Sequence, residues 1–183
     1  PPPRHSVLDR LRPPDNRNRL CSSDTCETII AACKAHHVPV IVDPKGTNWM
    51  KYAGADYITP NLKEINAVLP DPIRNEDAPV EQAARDVMKR FHLGSIIVTR
   101  SEAGLSFIRE EEIEHIPTKA QEVFDVSGAG DTVIAVFAMG IAGGIAPADS
   151  CCLANLAAGV VVAKLGTYAV SRDELLKALE KEK

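Results

Sequence analysis

The sequence lacks an apolar run of the roughly 18 residues that a membrane-spanning helix requires. Its longest weakly polar stretches, 132–148 and 151–163, are rich in alanine and glycine and are interpreted as buried helices. The 183-residue chain also lacks an excess of basic residues, because its formal net charge is −4. These absences argue against a membrane partner and against a nucleic-acid partner.

The sequence also lacks a C-x-x-C pair, and its cysteines are odd in number and irregularly spaced. This pattern argues against a disulfide scaffold and against a zinc site. Free thiols and a cytoplasmic location are the expectation. The five cysteines are Cys21, Cys26, Cys33, Cys151 and Cys152.

No internal repeat and no second domain is evident, and 45% hydrophobic residues suit one globular core. Residues 1–23 contain five Arg and five Pro without apolar periodicity, so they are predicted to form an irregular tail or remnant. No signal-peptide core is present in that segment. Residues 24–183 are predicted to form a single domain.

From Asp24 onward, helical and strand patterns alternate, which predicts an α/β architecture with a mostly parallel sheet. The first helix is expected to open with a capping box at 24–27, and Pro79 is expected at the first position of another helix. Residues 105–108 and 113–116 resemble an antiparallel hairpin. The predicted helices cover 24–37, 61–68, 79–92, 130–141, 147–164 and 171–183, and the other predicted strands cover 38–42, 57–59 and 95–99.

The strongest chemical signal is the segment Asp125-Val126-Ser127-Gly128-Ala129-Gly130-Asp131-Thr132, which precedes an apolar helix. Its glycines allow successive backbone N–H groups to lie at a helix N-terminus, where an anion is favoured. No Gly-Lys-Ser/Thr follows, and the G-x-G-x-x-G pattern is absent. Asp131 is placed to take the proton of an incoming hydroxyl beside a phosphate cradle. The alternative is a glycine-rich turn in which Asp131 only stabilises the helix.

This segment resembles the second signature of the ribokinase, or phosphofructokinase-B, family of sugar kinases. The resemblance implies a three-layer α/β/α fold, with ATP and Mg²⁺ as cofactors. It also implies an anion hole formed by the backbone of Gly128, Ala129 and Gly130, with Asp131 as the catalytic base.

Asn61-Leu62-Lys63-Glu64 matches the family's N-x-x-E motif, which implies that these residues bind ATP phosphates and that Glu64 orients Mg²⁺ through water. The same residues also fit a helix capping box, in which Asn61 and Glu64 exchange hydrogen bonds with each other's backbone.

Two further segments match the family's nucleotide side. Thr99-Arg100-Ser101-Glu102-Ala103-Gly104 occupies the T-x-G-x-x-G position, with Ser101 in place of the usual first glycine. The resemblance implies that Thr99, Ser101, Glu102 and Gly104 face the ribose and phosphates, although an ordinary strand-to-hairpin turn is the alternative. Asn155 matches an adenine-side asparagine, and its alternative is a buried polar residue in a helix.

Five segments together resemble the kinase half of bacterial bifunctional heptose kinase/ADP-heptose synthases. The resemblance covers about residues 25–180 and implies phosphorylation of heptose 7-phosphate at position 1, a step toward lipopolysaccharide. The segments are 42–46, 59–61, 98–102, 125–134 and 158–167.

The sequence departs from the family because the N-terminal half, with its sugar-binding carboxylates and lid, is not found. The fold is therefore expected to be truncated at its N-terminal side, and the sugar-contacting residues are unknown. Lys45 is the one basic residue near the expected cleft, and a solvated turn lysine is its favoured interpretation. Alternatives are a kinase for another sugar and a non-catalytic nucleotide-binding remnant. The sequence does not decide whether the protein forms a homodimer.

Overall fold

The computed structural model describes residues 22–118 and 123–181. The predicted irregular tail lies outside the described residues except for Ser22 and Ser23. Six α-helices and five strands are present in the described ranges. The helices are α1 (Ser23–Ala35), α2 (Leu62–Asn66), α3 (Asp77–Phe91), α4 (Ala129–Ala142), α5 (Pro147–Val162) and α6 (Arg172–Glu180), and the strands are β1 (Ile41–Val42), β2 (Tyr57–Ile58), β3 (Ile96–Thr99), β4 (Leu105–Ile108) and β5 (Ile113–Ile116).

The strands form one sheet in the order β1-β2-β3-β4-β5. β1, β2 and β3 are parallel neighbours, whereas β4 is antiparallel to both β3 and β5. Four of the five strands therefore run in the same direction, and the predicted hairpin is present with its predicted bounds. Parallel neighbours need crossover connections, and the segment between β2 and β3 supplies one through α2 and α3.

Helices cover both faces of the sheet. Because successive strand residues point to opposite sides, each face contributes to its own core. Ile58, Ile96 and Val98 belong to a core that also contains side chains of α1 and α3. Tyr57 and Ile97 belong to a second core with side chains of α4 and α5. This arrangement confirms the predicted three-layer α/β/α fold with a mostly parallel sheet.

Two predicted helix starts were wrong. Ser22 caps α1, because its Oγ accepts a hydrogen bond from the Thr25 N–H at 3.4 Å, and the expected box at 24–27 is not formed. Asp24 instead lies in the first turn, where a negative charge is favoured. Pro79 is the third residue of α3 rather than the first. Proline fits there because first-turn N–H groups have no helical acceptor.

β1 is shorter than the predicted strand 38–42. The Val40 N–H donates to the Asp56 carboxylate at 2.8 Å instead of entering the sheet ladder. The turn after β1 leads into a 3₁₀ helix, Trp49–Tyr52, that the sequence analysis did not predict. Both aromatic side chains of this helix are buried in the core beside α1.

Two further expectations concern free thiols and membrane-spanning helices. Among the described residues, Cys33 and Cys151 are free thiols, and burial raises the pKa of Cys151. No helix in the described ranges is both long enough and apolar enough to cross a membrane.

Candidate active site

Two neighbouring cavities lie where the parallel strands end, which is the usual ligand edge of an α/β sheet. Residues that follow β1 and β2, together with the last residue of β3, meet the first turn of α4 in the smaller cavity, of about 140 Å³. Its lining residues are Asp43, Lys45, Thr59, Asn61, Glu64, Thr99, Gly128, Gly130 and Asp131.

The N-terminus of α4 has the geometry of an anion site. Gly128 caps the helix with φ +80°, a left-handed conformation that glycine adopts without steric cost. The Ala129 N–H donates to the Val126 carbonyl at 3.2 Å, and the Thr132 N–H donates to the Gly128 carbonyl at 2.9 Å. The N–H groups of a first helical turn otherwise lack helical acceptors and favour a negative group. The cavity side of this turn is therefore suited to a phosphate.

Asp131 lies in this first turn and is exposed to solvent. Among the described residues, none donates a hydrogen bond to its carboxylate. Such a carboxylate, in the same cavity as the anion site, is available to accept a proton from a hydroxyl that enters the cavity.

Asp125 fixes the approach to α4, a role that the sequence analysis did not assign. Its carboxylate accepts hydrogen bonds from the Ser127 N–H at 2.8 Å and from the Gly166 N–H at 3.1 Å. The bond from Ser127 is the main reason that the pKa of Asp125 is lowered. An Asp two residues before a turn N–H is a recognisable Asx-turn signal, so the first bond had a local sequence signature. The bond to Gly166 had none.

The capping box at the start of α2 is complete. The Asn61 Oδ1 accepts from the Glu64 N–H at 2.8 Å, and the Glu64 Oε2 accepts from the Asn61 N–H at 2.9 Å. Asn61 and Glu64 nevertheless line the smaller cavity, so the capping role and the phosphate-side role are compatible. Leu62 and Lys63, the other two residues of the motif, line neither cavity.

Lys45 lies in the turn after β1 with its side chain 68% exposed, as expected for a solvated turn lysine, and it also forms two ion pairs. Its Nζ lies 2.9 Å from the Asp43 Oδ2 and 3.2 Å from the Glu64 Oε1. Partial burial lowers the pKa of Lys45, but hydrogen bonds to Asp43 and Glu64 outweigh it and raise the pKa overall. The ammonium therefore stays charged and links the β1 turn to α2.

The larger cavity, of about 500 Å³, combines an apolar wall with a few polar groups, as small-molecule sites do. Its apolar wall comes mainly from α4, α5 and the segment before α4. Six residues predicted to bind ATP line this cavity, and Ala129 and Gly130 of the predicted anion hole line it as well. The six residues are Asn61, Thr99, Ser101, Glu102, Gly104 and Asn155.

The turn from Ser101 to Gly104 has two left-handed residues. Ser101 has φ +53°, a left-handed conformation that glycine, the residue implied here by the family resemblance, adopts without steric cost. Gly104 has φ +80°, and a Cβ there would overlap the carbonyl oxygen of Ile116. The backbone of this turn is thus in close contact with the end of β5.

A buried arginine directly before this turn links it to neighbouring segments, and the sequence analysis did not assign it a role. Arg100 is 3% exposed, and its Nη1 donates to the Asp77 Oδ1 at 2.6 Å and to the Ser106 Oγ at 2.8 Å. Its Nε donates to the Asn75 Oδ1, while the Asn75 amide donates to the Arg100 carbonyl at 3.0 Å. The hydrogen bond from Arg100 also lowers the pKa of Asp77. A buried charge with several hydrogen-bond partners favours one conformation of the turn.

Asn155 is a buried polar residue in a helix, one of its two proposed interpretations, and its adenine-side role stays a prediction. Its side chain is buried, and its Nδ2 donates to the Pro117 carbonyl at 2.8 Å, which ties α5 to the end of β5. It also lines the larger cavity. The roles assigned to this and the other site residues stay predictions.

Comparisons with known proteins agree with this geometry. Residues 18–174 match the pfkB family of carbohydrate kinases. The bifunctional protein HldE of Vibrio vulnificus is 47% identical over 154 residues, which cover 84% of this chain and 32% of that protein. The chain thus spans about a third of the length of this curated relative.

Two solved structures superpose on most of the chain. Ribokinase from Thermotoga maritima has a TM-score of 0.73 and 28% identity, and the match covers 84% of this chain and 53% of that one. Arabidopsis thaliana ribokinase, solved with ribose and ATP, has a TM-score of 0.78 with 23% identity, over 87% and 53% of the two chains. At that identity the second likeness supports the fold alone.

Proposed function

Because the chain belongs to the pfkB family of carbohydrate kinases, we propose that it carries the nucleotide side of an ATP-dependent phosphoryl transfer to a sugar hydroxyl. The observation that carries this proposal is the smaller cavity, where Asp131, the first turn of α4 and Glu64 meet. A general base, an anion site and a carboxylate for a metal are the parts that such a transfer requires.

The residues present fit both ATP and Mg²⁺. The larger cavity has apolar walls for a base and polar groups at its rim, and it adjoins the smaller cavity through Asn61, Thr99 and Gly130. The Glu64 and Asp43 carboxylates are hard oxygen ligands of the kind that Mg²⁺ prefers, directly or through water. When bound, Mg²⁺ would neutralise part of the negative charge of the ATP phosphates.

The chain's own groups then perform two tasks. Asp131 accepts the proton of the acceptor hydroxyl, which makes the oxygen a better nucleophile. The first-turn N–H groups of α4 stabilise negative charge on the transferred phosphoryl group. Fixed dipoles suit this task because they need no reorganisation during the reaction.

We further propose that the acceptor is heptose 7-phosphate, phosphorylated at position 1 in the formation of ADP-heptose. Support comes from the five matching segments and from the 47% identity to HldE. The acceptor side of the site is not assigned among the described residues, so another sugar is the first alternative. A non-catalytic nucleotide-binding remnant is the second.

A coupled assay of ADP release tests this function. The protein is supplied with ATP and Mg²⁺ and with heptose 7-phosphate, ribose or fructose 6-phosphate in parallel. Of the three sugars, heptose 7-phosphate is expected to give the highest kcat/KM in a form of the protein that turns over ATP. Higher kcat/KM with another sugar would reassign the substrate. If Mg-ATP does not bind in a parallel titration, the kinase function itself is wrong.

A further inference from the structure

We propose that Lys45 contacts the terminal phosphoryl group of bound ATP, exchanging its ion pairs with Asp43 and Glu64 for this contact. The inference rests on the proposed kinase function and adds a residue to it. In the structure, the Lys45 ammonium lies between the two carboxylates, at 2.9 Å from Asp43 and 3.2 Å from Glu64.

The position of Lys45 supports this role. Lys45 lines the smaller cavity together with Gly128, Gly130 and Asp131. It is also the only lysine or arginine among the described residues that line either cavity. A transferred phosphoryl group carries negative charge that must be balanced. The backbone N–H groups of α4 provide dipoles, and Lys45 provides the one full positive charge of a side chain here.

The turn that carries Lys45 is held in place by the core. The Lys45 N–H donates to the Tyr52 Oη at 3.2 Å, and the Trp49 Nε1 donates to the Gly46 carbonyl at 2.9 Å. Trp49 is fully buried and Tyr52 is 4% exposed. The backbone of the turn is therefore held by buried side chains, whereas the Lys45 side chain is 68% exposed. An anchored backbone with an exposed ammonium suits a residue that changes partners.

The exchange has a physical driving force. If Glu64 holds Mg²⁺, its carboxylate would offer Lys45 less uncompensated negative charge, so the Lys45–Glu64 ion pair would weaken. The incoming phosphoryl oxygens offer a charge-assisted hydrogen bond in return. Because exposed ion pairs contribute little free energy, the ammonium leaves Asp43 and Glu64 at small cost.

The test is isothermal titration of ATP and of ADP, at saturating Mg²⁺, into the chain and its Lys45→Met variant. ADP lacks the terminal phosphoryl group, so it reports binding without the proposed contact. We expect Lys45→Met to weaken ATP binding about tenfold, the size of a lost charged hydrogen bond. ADP affinity is expected to stay within about twofold, the limit set by an exposed ion pair.

Two variants complete the design. Lys45→Arg keeps the charge and is expected to retain part of the preference for ATP over ADP. Lys89→Met, which removes an exposed lysine from α3 outside both cavities, is expected to change neither affinity. Thermal melts of each variant check the fold, because Lys45→Met removes only exposed contacts.

The outcomes separate this inference from the function on which it rests. Equal weakening of ATP and ADP, or no weakening of either, overturns the role of Lys45. If the unmodified chain binds no Mg-ATP, the proposed function fails before Lys45 is tested.

Discussion

Asp131 and Glu64 are carboxylates in one cavity, yet their surroundings differ. Glu64 accepts hydrogen bonds from Asn61 and Lys45, so both of its oxygens have partners. The Asp131 carboxylate accepts none from the described residues and is exposed. A partnered carboxylate suits a fixed role beside a metal, and an unpartnered one suits proton transfer. We therefore expect replacement of Asp131 to affect turnover and replacement of Glu64 to affect the Mg²⁺ requirement.

Replacement of Asp131 by Asn is expected to lower kcat by a factor of ~10²–10⁴, because the amide cannot accept the hydroxyl proton. ATP affinity should stay nearly unchanged, since the first-turn N–H groups of α4 are retained. Steady-state kinetics in a catalytically active form of the protein, with nucleotide titration beside it, measures both. Unchanged kcat would remove Asp131 from the mechanism.

Replacement of Glu64 by Gln distinguishes its two roles. The Gln side chain still completes a capping box, so the melting temperature is expected to stay close to that of the unmodified chain. The loss of negative charge is expected to raise the Mg²⁺ concentration needed for half-maximal ATP binding. A Mg²⁺ titration of ATP binding gives this value, and a curve that does not move would leave Glu64 with only the capping role.

At the scale of elements, two glycines at the site have different surroundings. Gly130 lies in the first turn of α4, and an added Cβ would meet nothing within 4 Å. Gly104 connects the 3₁₀ turn to β4, and its Cβ would overlap backbone atoms at the end of β5. The first glycine leaves room for a ligand, and the second leaves room for the chain itself.

Gly130→Ala is therefore expected to preserve or slightly raise stability, by up to ~1 kcal/mol, because alanine is the better helix former. Its methyl group should instead hinder phosphate at the cradle and weaken ATP binding. Denaturant unfolding and ATP titration are the paired measurements. ATP binding that matches the unmodified chain would place the phosphates away from Gly130.

Gly104→Ala is expected to destabilise the fold by about 1–3 kcal/mol, since the left-handed φ and the backbone overlap both oppose a side chain. The measurement is the midpoint of urea unfolding. Ala103→Gly, a change at the neighbouring 3₁₀ position without such an overlap, serves as its control. Equal midpoints for Gly104→Ala and the unmodified chain would contradict the close approach of Gly104 to β5.

At the scale of the whole molecule, the proposed function assigns the site residues to the nucleotide side and none to the acceptor side. It spans about half of the Thermotoga maritima ribokinase chain on which it superposes. Asp131 faces solvent, and phosphoryl transfer depends on a positioned acceptor and on exclusion of water.

We therefore expect the 183-residue chain alone to bind Mg-ATP but to phosphorylate heptose 7-phosphate at least ~10²-fold more slowly than full-length HldE of Vibrio vulnificus. The coupled assay is run on both proteins at equal concentration. Comparable turnover would show that this chain already holds a complete sugar site.

Much of the fold followed from local patterns in the sequence. The hairpin 105–108/113–116 was predicted with its observed bounds because its alternation and its acidic turn are local signals. Asn61 and Asp131 were placed at helix starts for the same reason. The predicted start of α1 was wrong because Ser22 and Asp24 are both good capping residues, and Ser22 forms the capping hydrogen bond in the structure.

The sequence by itself determined the order of helices and strands, the glycine turn before α4 and the presence of Asp131 in its first turn. Each of these depends on residues within a few positions of one another. The tertiary structure alone decided that Lys45 meets Glu64, 19 residues away, and that Arg100 is paired with Asn75, 25 residues away. Such contacts depend on how β1, β2 and β3 align their ends, and this alignment arises from burial of both sheet faces, a property of the whole core.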